Sequence, residues 1–198
     1  FTLSKVELNN NTFTLGSETT YLTVDRSGAS GTGSNPGTLA TQTADLTVLG
    51  TPTLNNGNTV SSTGGTIAFV DGISVNGGTL NLQDTTLAVG TSLTKSGGTL
   101  SLSGTGLELL SDVSLSLDSA AAFDSFDPKG FNLELSSTST GNVALGTLAL
   151  TQEKIEVNGG TLNLAGGSVG ADGQIKVGGS GTLSLQGDLT VTGTLDLE

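Results

Sequence analysis

A near-identical decapeptide that occurs twice, far apart along the chain, most restricts the folds open to this sequence. Residues 73–82 and residues 155–164 match at nine of ten positions, and both end in Gly-Gly-Thr-Leu-Asn-Leu. Weaker copies occupy residues 96–102 and residues 179–185. Internal repetition on this scale is typical of a solenoid, in which one structural unit is stacked many times.

The repeat has a period near 20 residues and is set by short stretches of alternating apolar and polar residues. The first series of apolar positions steps by 20 or 22 residues and comprises Ile73, Leu93, Val113, Leu133, Ile155, Ile175 and Leu195. Two further series follow at intervals of about seven residues: Leu80, Leu100, Leu162 and Leu183, and then Ile67, Leu87, Leu107, Leu148 and Leu189. Three short strands per period are therefore predicted, because side chains alternate between the two faces of a strand.

Glycine-rich corners between these strands complete the predicted architecture. The chain contains 31 glycines, and glycine adopts backbone angles that are closed to other residues at tight corners. One triangular turn cannot bury its own apolar face, whereas turns stacked at about 4.8 Å bury it in continuous columns. We therefore predict an all-β fold, a single-stranded parallel β-helix with about 20 residues and three short strands per rung. An antiparallel sandwich is the alternative, because short strands at regular spacing also fit that fold.

A single solenoid domain is predicted over residues 1–198, with two irregular segments. Residues 26–37 are rich in glycine and serine and indicate a loop inserted at a corner. Residues 118–130 lack the Leu-x-Leu pattern, and we expect Phe123 and Phe126 to fill the core there.

The ends of the chain both have the pattern of strands and carry no polar helix that would cap a solenoid. This favours either a longer protein, of which the chain is a part, or head-to-tail stacking of copies. The candidate interface residues are Phe1, Leu3, Leu195 and Leu197.

Composition excludes several classes of chemistry. The chain has no cysteine, methionine, histidine or tryptophan, so it offers no disulfide, no thiolate or imidazole metal ligand and no histidine base. Its formal net charge is −12 and its six basic residues are scattered, which argues against nucleic acid and anionic membranes as partners. No apolar run approaches the roughly 20 residues of a membrane span. We expect no cofactor and no enzymatic activity.

Carboxylates are the remaining candidates for a catalytic or metal site. Neighbouring turns could bring together two pairs that resemble a glycosidase site, namely Asp84 with Glu108 and Asp112 with Asp118. Calcium is the one metal that this composition favours, and Asp124 and Asp127 are its candidate ligands. The alternative is that all these acidic side chains are solvated surface groups that keep the protein soluble.

Threonines of the repeat should form a column on the outside of the solenoid. Thr79, Thr99, Thr161 and Thr182 share one position of the repeat. A flat threonine ladder can bind ice or crystalline polysaccharide, but regular Thr-x-Thr pairs are lacking. The simpler interpretation is stabilisation of solvent-facing strands by stacked hydroxyl groups.

The motif Gly-Gly-Thr-Leu-Asn-Leu and the tail over residues 180–197 resemble the passenger domains of bacterial autotransporters and filamentous-haemagglutinin-like adhesins. The resemblance covers most of residues 39–198. It implies a right-handed β-helix on the bacterial cell surface or in the extracellular space. It also implies roles in adhesion, aggregation or biofilm formation, with partners that are host or cell-surface glycans or proteins. The alternatives are a self-associating extracellular filament and, third, a glycan-degrading enzyme.

Overall fold

Parallel strands, stacked turn upon turn, build the part of the chain that the structure describes. The computed structural model describes the backbone of residues 2–3, 12–14 and 21–25, and all of residues 37–198. Strands pair in parallel with those one turn before and after them. The predicted β-solenoid is confirmed, with about eight turns, and the antiparallel sandwich is wrong. The described residues contain no helix, and hence none with the length and hydropathy to cross a membrane.

Three faces make up the solenoid, and a turn contributes one short strand to each. Face 1 is a continuous sheet of eight strands: β6 (Thr53–Asn55), β9 (Ile73–Asn76), β12 (Ser92–Lys95), β15 (Val113–Leu117), β18 (Leu133–Leu135), β21 (Lys154–Val157), β24 (Gln174–Val177) and β27 (Thr194–Leu197). Face 2 has two separate sheets: first β2 (Thr12–Thr14), β4 (Gly37–Ala40), β7 (Asn58–Ser62), β10 (Thr79–Gln83) and β13 (Thr99–Ser103), then β16 (Ala121–Phe123), β19 (Asn142–Leu145), β22 (Thr161–Leu164) and β25 (Thr182–Leu185). Face 3 is also divided: first β1 (Thr2–Leu3), β3 (Tyr21–Asp25), β5 (Asp45–Leu49), β8 (Thr66–Phe69), β11 (Thr86–Val89), β14 (Gly106–Leu109) and β17 (Ser125–Asp127), then β20 (Leu148–Leu150), β23 (Gly167–Val169) and β26 (Leu189–Val191).

Inward side chains form columns because the strands of successive turns pair in register. On face 2, Leu80 lies opposite Leu100, and on face 3, Ile67 lies opposite Leu87. All but Leu100 of these four are fully buried. The predicted inward positions of both series are therefore confirmed by the pairing.

Face 1 shows one difference from the register that the sequence predicts. Leu93 lies opposite Leu115, not at the level of Val113, which lies opposite Leu133. The predicted step from Leu93 to Val113 is therefore wrong by two residues. A shift of two keeps the same side chains pointing inward, so alternation alone cannot distinguish the two registers.

The turn that contains residues 118–130 interrupts two of the three faces. No strand pairing joins β13 to β16 on face 2 or β17 to β20 on face 3, while face 1 continues past this level without a break. Phe123 and Phe126 are both buried, so the prediction that they fill the core is confirmed.

The predicted loop over residues 26–37 lies almost wholly outside the described residues. Its last residue, Gly37, begins strand β4 and pairs with Asn58 of the next turn.

Candidate functional site

Of the two candidate calcium ligands, Asp124 immediately precedes strand β17 and Asp127 is the last residue of that strand, and both are exposed. The Asp127 carboxylate forms an ion pair with Lys129 at 2.9 Å and accepts a hydrogen bond from the Lys129 backbone N–H at 3.0 Å. The Lys129 ammonium group holds the pKa of Asp127 below its ordinary value. Within the described residues no group of three or more acidic, histidine or cysteine side chains is placed to hold a metal ion. The calcium site thus stays a prediction without a further ligand.

The carboxylate pairs considered for glycan cleavage have other partners. Asp112 and Asp118 flank the five residues of β15, so their backbones are more than about 13 Å apart at the rise of an extended strand. Glycosidase carboxylates lie roughly 5–10 Å apart, and the structure does not bring these two residues together from neighbouring turns. Glu108 lies 3.5 Å from the Lys129 ammonium group, while Asp84 lies at the corner after β10.

The candidate interface residues at the carboxyl end lie on the last strand of face 1. Leu195 is 40 % exposed and Leu197 is 66 % exposed, whereas Ile175 and Val177, directly opposite them one turn earlier, are buried. The inward side chains of this strand are therefore exposed. At the other end, Leu3 pairs with Val24 through β1 and β3, while Phe1 lies outside the described residues.

A buried lysine, which the sequence analysis did not single out, lies one turn before the interrupted turn. Lys95 occupies an inward position on face 1, opposite Val75 on one side and Leu117 on the other. Its side chain is only 7 % exposed, and its Nζ atom lies 2.6 Å from Oδ1 of Asp118. The sequence contained a signal for this residue, because a lysine stands where the repeat calls for an aliphatic side chain.

The Lys95–Asp118 pair fixes the corner at which faces 1 and 2 meet. The hydrogen bond from Lys95, above all, lowers the pKa of Asp118, and donors from Ser119 and the Gly97 backbone act in the same direction. Asp118 therefore stays ionised over the whole physiological range, and it neutralises the ammonium group at a corner that is partly open to water.

Next to this corner, the gap between β13 and β16 opens as a cleft of about 310 Å³ on face 2. Leu100 and Leu102 of β13 line one side of the cleft and are only partly buried. The equivalent residues one turn earlier, Leu80 and Leu82, are fully buried. The rest of the lining consists of four alanines and two asparagines: Ala120, Ala121, Ala122 and Ala144, with Asn142 and Asn163. The side chains that line the cleft are apolar or carboxamide, and none of them is charged.

Face 2 also presents the predicted column of outward threonines. Thr38, Thr59, Thr79 and Thr99 lie opposite one another in four consecutive turns. Beyond the cleft the column continues as Asn142, Thr161 and Thr182. The outward placement of the repeat threonines is therefore confirmed. No protein-family model, curated protein or solved structure matches the chain.

Proposed function

We propose that this chain is a non-enzymatic structural and adhesive module of an extracellular bacterial surface protein, with a role in adhesion, aggregation or biofilm matrix. The observation that carries the proposal is the alignment of like polar side chains in columns along a rigid rod. The eight strands of face 1 alone span about 34 Å at the usual spacing of strands. A continuous aliphatic core keeps the outer side chains in fixed positions over that length.

The threonine column of face 2, comprising Thr38, Thr59, Thr79 and Thr99, is the best candidate for a contact surface. It offers one hydroxyl group per turn, at intervals of about 4.8 Å. Each hydroxyl group both donates and accepts hydrogen bonds. A regular array of this kind suits a partner with its own repeat, such as a glycan or a repetitive surface protein, because many weak contacts act together.

The resemblance of the repeat motif to autotransporter passengers and filamentous-haemagglutinin-like adhesins supports the same function and the same location. That resemblance concerns the motif of the solenoid and comes from the sequence. The polar columns are an independent argument, since they follow from the register of the strands.

Display of the chain on a non-adherent bacterial strain, through an unrelated outer-membrane anchor, tests this proposal. We expect attachment to host cells or to abiotic surfaces to rise several-fold over the anchor alone. Changing Thr59, Thr79 and Thr99 together to lysine should abolish the gain. The matched control changes three outward positions of face 1 in consecutive turns to lysine, namely Thr53, Ser74 and Thr94, and should keep it. Display at equal density without any gain in attachment would refute the proposal.

A second candidate function is a subunit of a self-assembling extracellular filament, in which a second copy of the chain covers the inward side chains that are exposed on the turn containing Leu195 and Leu197. In addition to Leu195 and Leu197, the inward residues Leu185 and Val191 of faces 2 and 3 are exposed there. Their counterparts one turn earlier, Leu164 and Val169, are buried. A second copy of the chain could cover all three strands and continue the ladders of hydrogen bonds.

Analytical ultracentrifugation and electron microscopy over a range of concentrations distinguish the two candidates. The filament predicts rods that lengthen with concentration, and Leu197→Asp should stop their growth because it puts a charge into the new interface. The control Thr194→Asp changes an outward position of the same strand and should leave growth intact. A chain that remains monomeric at high concentration refutes the filament and leaves the adhesive module as the proposal.

A further inference from the structure

The gap in face 2 leaves backbone hydrogen-bonding groups without a strand to pair with. In a strand, alternate residues direct their N–H and C=O groups to opposite edges. The Thr99 N–H donates to Gly78 O of the preceding turn, and Ser103 O accepts from the Asp84 N–H of that turn. The groups of Leu100 and Leu102 therefore point to the other edge, which is the cleft.

The opposite wall of the cleft, formed by β16, also has backbone N–H and C=O groups that no neighbouring strand pairs with. The Asp124 N–H donates to Thr105 O of the preceding turn, whereas Phe123 O accepts from the Gly146 N–H of the following turn. By the same alternation, the N–H and C=O of Ala122 face the preceding turn and hence the cleft. Donors and acceptors of the backbone thus line both walls, and an occupant that satisfies them is favoured because unpaired backbone groups are costly.

An inserted peptide strand is too wide for this gap. A strand that paired with both β13 and β16 would hold them about 9.6 Å apart, twice the spacing of neighbouring strands. Parts of the two strands lie within 8 Å of each other at their Cα atoms. The occupant has to be smaller than a strand and still both donate and accept hydrogen bonds, as a sugar hydroxyl group does.

The side chains that line the cleft further restrict the chemical class of ligand that it can bind. Leu100, Leu102 and Ala144 provide an apolar surface, while Asn142 and Asn163 provide carboxamides that donate and accept. No charged side chain lines the cleft, and the chain as a whole carries a net charge of −12, which repels anions. A neutral sugar has one apolar C–H face and a rim of hydroxyl groups, so it matches this lining. The volume of about 310 Å³ lies at the lower end for ligand pockets, which limits the occupant to one or two rings.

We propose that the cleft between β13 and β16 binds one or two residues of a neutral glycan, with its apolar face on Leu100 and Ala144 and its hydroxyl groups on Asn163 and the open strand edges. The Lys95–Asp118 pair lies at the corner that leads into Ala120, beside the cleft. This assignment rests on the proposed adhesive function and gives it a partner, since a glycan chain could continue from the cleft along the threonine column.

Calorimetric titration of the whole chain with maltose, cellobiose, lactose and diacetylchitobiose tests the assignment, with sialyllactose as an acidic comparison. At least one neutral disaccharide should bind and sialyllactose should not. Filling the cleft by Ala144→Trp should weaken that binding at least tenfold, and Asn163→Ala should weaken it about fivefold, as expected for one hydrogen bond. The matched controls, Ala149→Trp on face 3 and Asn76→Ala on face 1, should bind like the unaltered chain. Thermal unfolding checks that each variant is folded.

Binding of none of the neutral sugars, binding of the acidic sugar alone, or equal binding by Ala144→Trp would each overturn the assignment. The attachment assay keeps this result separate from the proposed function. An unaltered chain that binds none of the neutral sugars but still confers attachment would overturn the assignment of the cleft and leave the adhesive module standing. A chain that binds a neutral sugar in the cleft but confers no attachment would refute the adhesive module and leave the assignment of the cleft standing.

Discussion

Removing either partner of the Lys95–Asp118 pair should have very different consequences for stability. Lys95 stands in a column between Val75 and Leu117, and only its partner makes an ammonium group tolerable there. Breaking a buried pair by removing one charge costs about 3–5 kcal/mol. Because Asp118 is 42 % exposed, water can reach the ammonium group in its absence, and we reduce the expected loss for Asp118→Ala to about 1–2 kcal/mol.

The opposite change removes the charge and keeps the packing. Methionine resembles the lysine stem in length and suits an aliphatic column, so Lys95→Met should be neutral or should stabilise the protein by up to about 1 kcal/mol. In the Lys95→Met background, Asp118→Ala should have almost no further effect. The coupling between the two sites should therefore account for most of the loss seen in the single Asp118→Ala variant.

Urea unfolding followed by circular dichroism measures these differences. With a slope of about 3 kcal/mol per molar urea, a loss of 1–2 kcal/mol lowers the midpoint by roughly 0.3–0.7 M. The folded-state pKa of Asp118 lies below its ordinary value of 3.8. The stabilisation by the pair is thus complete above about pH 4 and is lost as the pH falls through the folded-state pKa. Lys95→Met should lack this part of the acid sensitivity. A Lys95→Met variant that is less stable than Asp118→Ala would refute the reasoning.

Three further changes test packing, stacking and the buried acid. Leu80→Asp puts an unpaired charge into the core and should cost at least about 4 kcal/mol, while the outward Asn81→Asp should change the free energy of unfolding by less than about 0.5 kcal/mol in urea titrations. Gly90→Ala would drive its Cβ atom into the Val70 carbonyl oxygen of the preceding turn, so the melting temperature should fall by several degrees. Burial tends to raise the pKa of Glu153, but backbone N–H donors outweigh it and lower that pKa below its ordinary 4.5. Glu153→Gln should therefore cost about 1–2 kcal/mol at pH 7 and much less near pH 3, because the carboxylate loses its advantage as the pH falls through its folded-state pKa.

The repeat predicts the fold because alternation, period and glycine corners all require the same stacked turns. The two decapeptides indicate that Ile73 and Ile155 are equivalent positions, and both are fully buried on face 1. Hydrophobicity alone identifies which side of a strand faces the core. It does not identify the partner of each residue, and that is why the step after Leu93 was wrong. The strand over Val113–Leu117 has three inward residues, and two registers bury them equally well.

The sequence predicts only part of the candidate site, which comprises the cleft between β13 and β16 and the Lys95–Asp118 pair. The loss of Leu-x-Leu around Ala120 and Ala122 marked the place where face 2 changes, but not that β13 and β16 fail to pair. The cleft depends on the direction of backbone groups, which composition does not record. Lys95 could have been found from its position in the repeat, whereas its link to Asp118 requires the structure, since the two residues belong to successive turns.

The distance between spin labels on face 1 tests the stacking of turns most directly. The chain has no cysteine, so pairs of introduced cysteines can be labelled without background. Outward positions that lie three, four and five turns from Asp196 are Glu134, Ser114 and Ser92. Double electron–electron resonance should give backbone separations of about 14, 19 and 24 Å for the three pairs, rising by one strand spacing per turn. Separations that do not rise in equal steps with the number of turns would contradict the stacked solenoid and every functional proposal built on it.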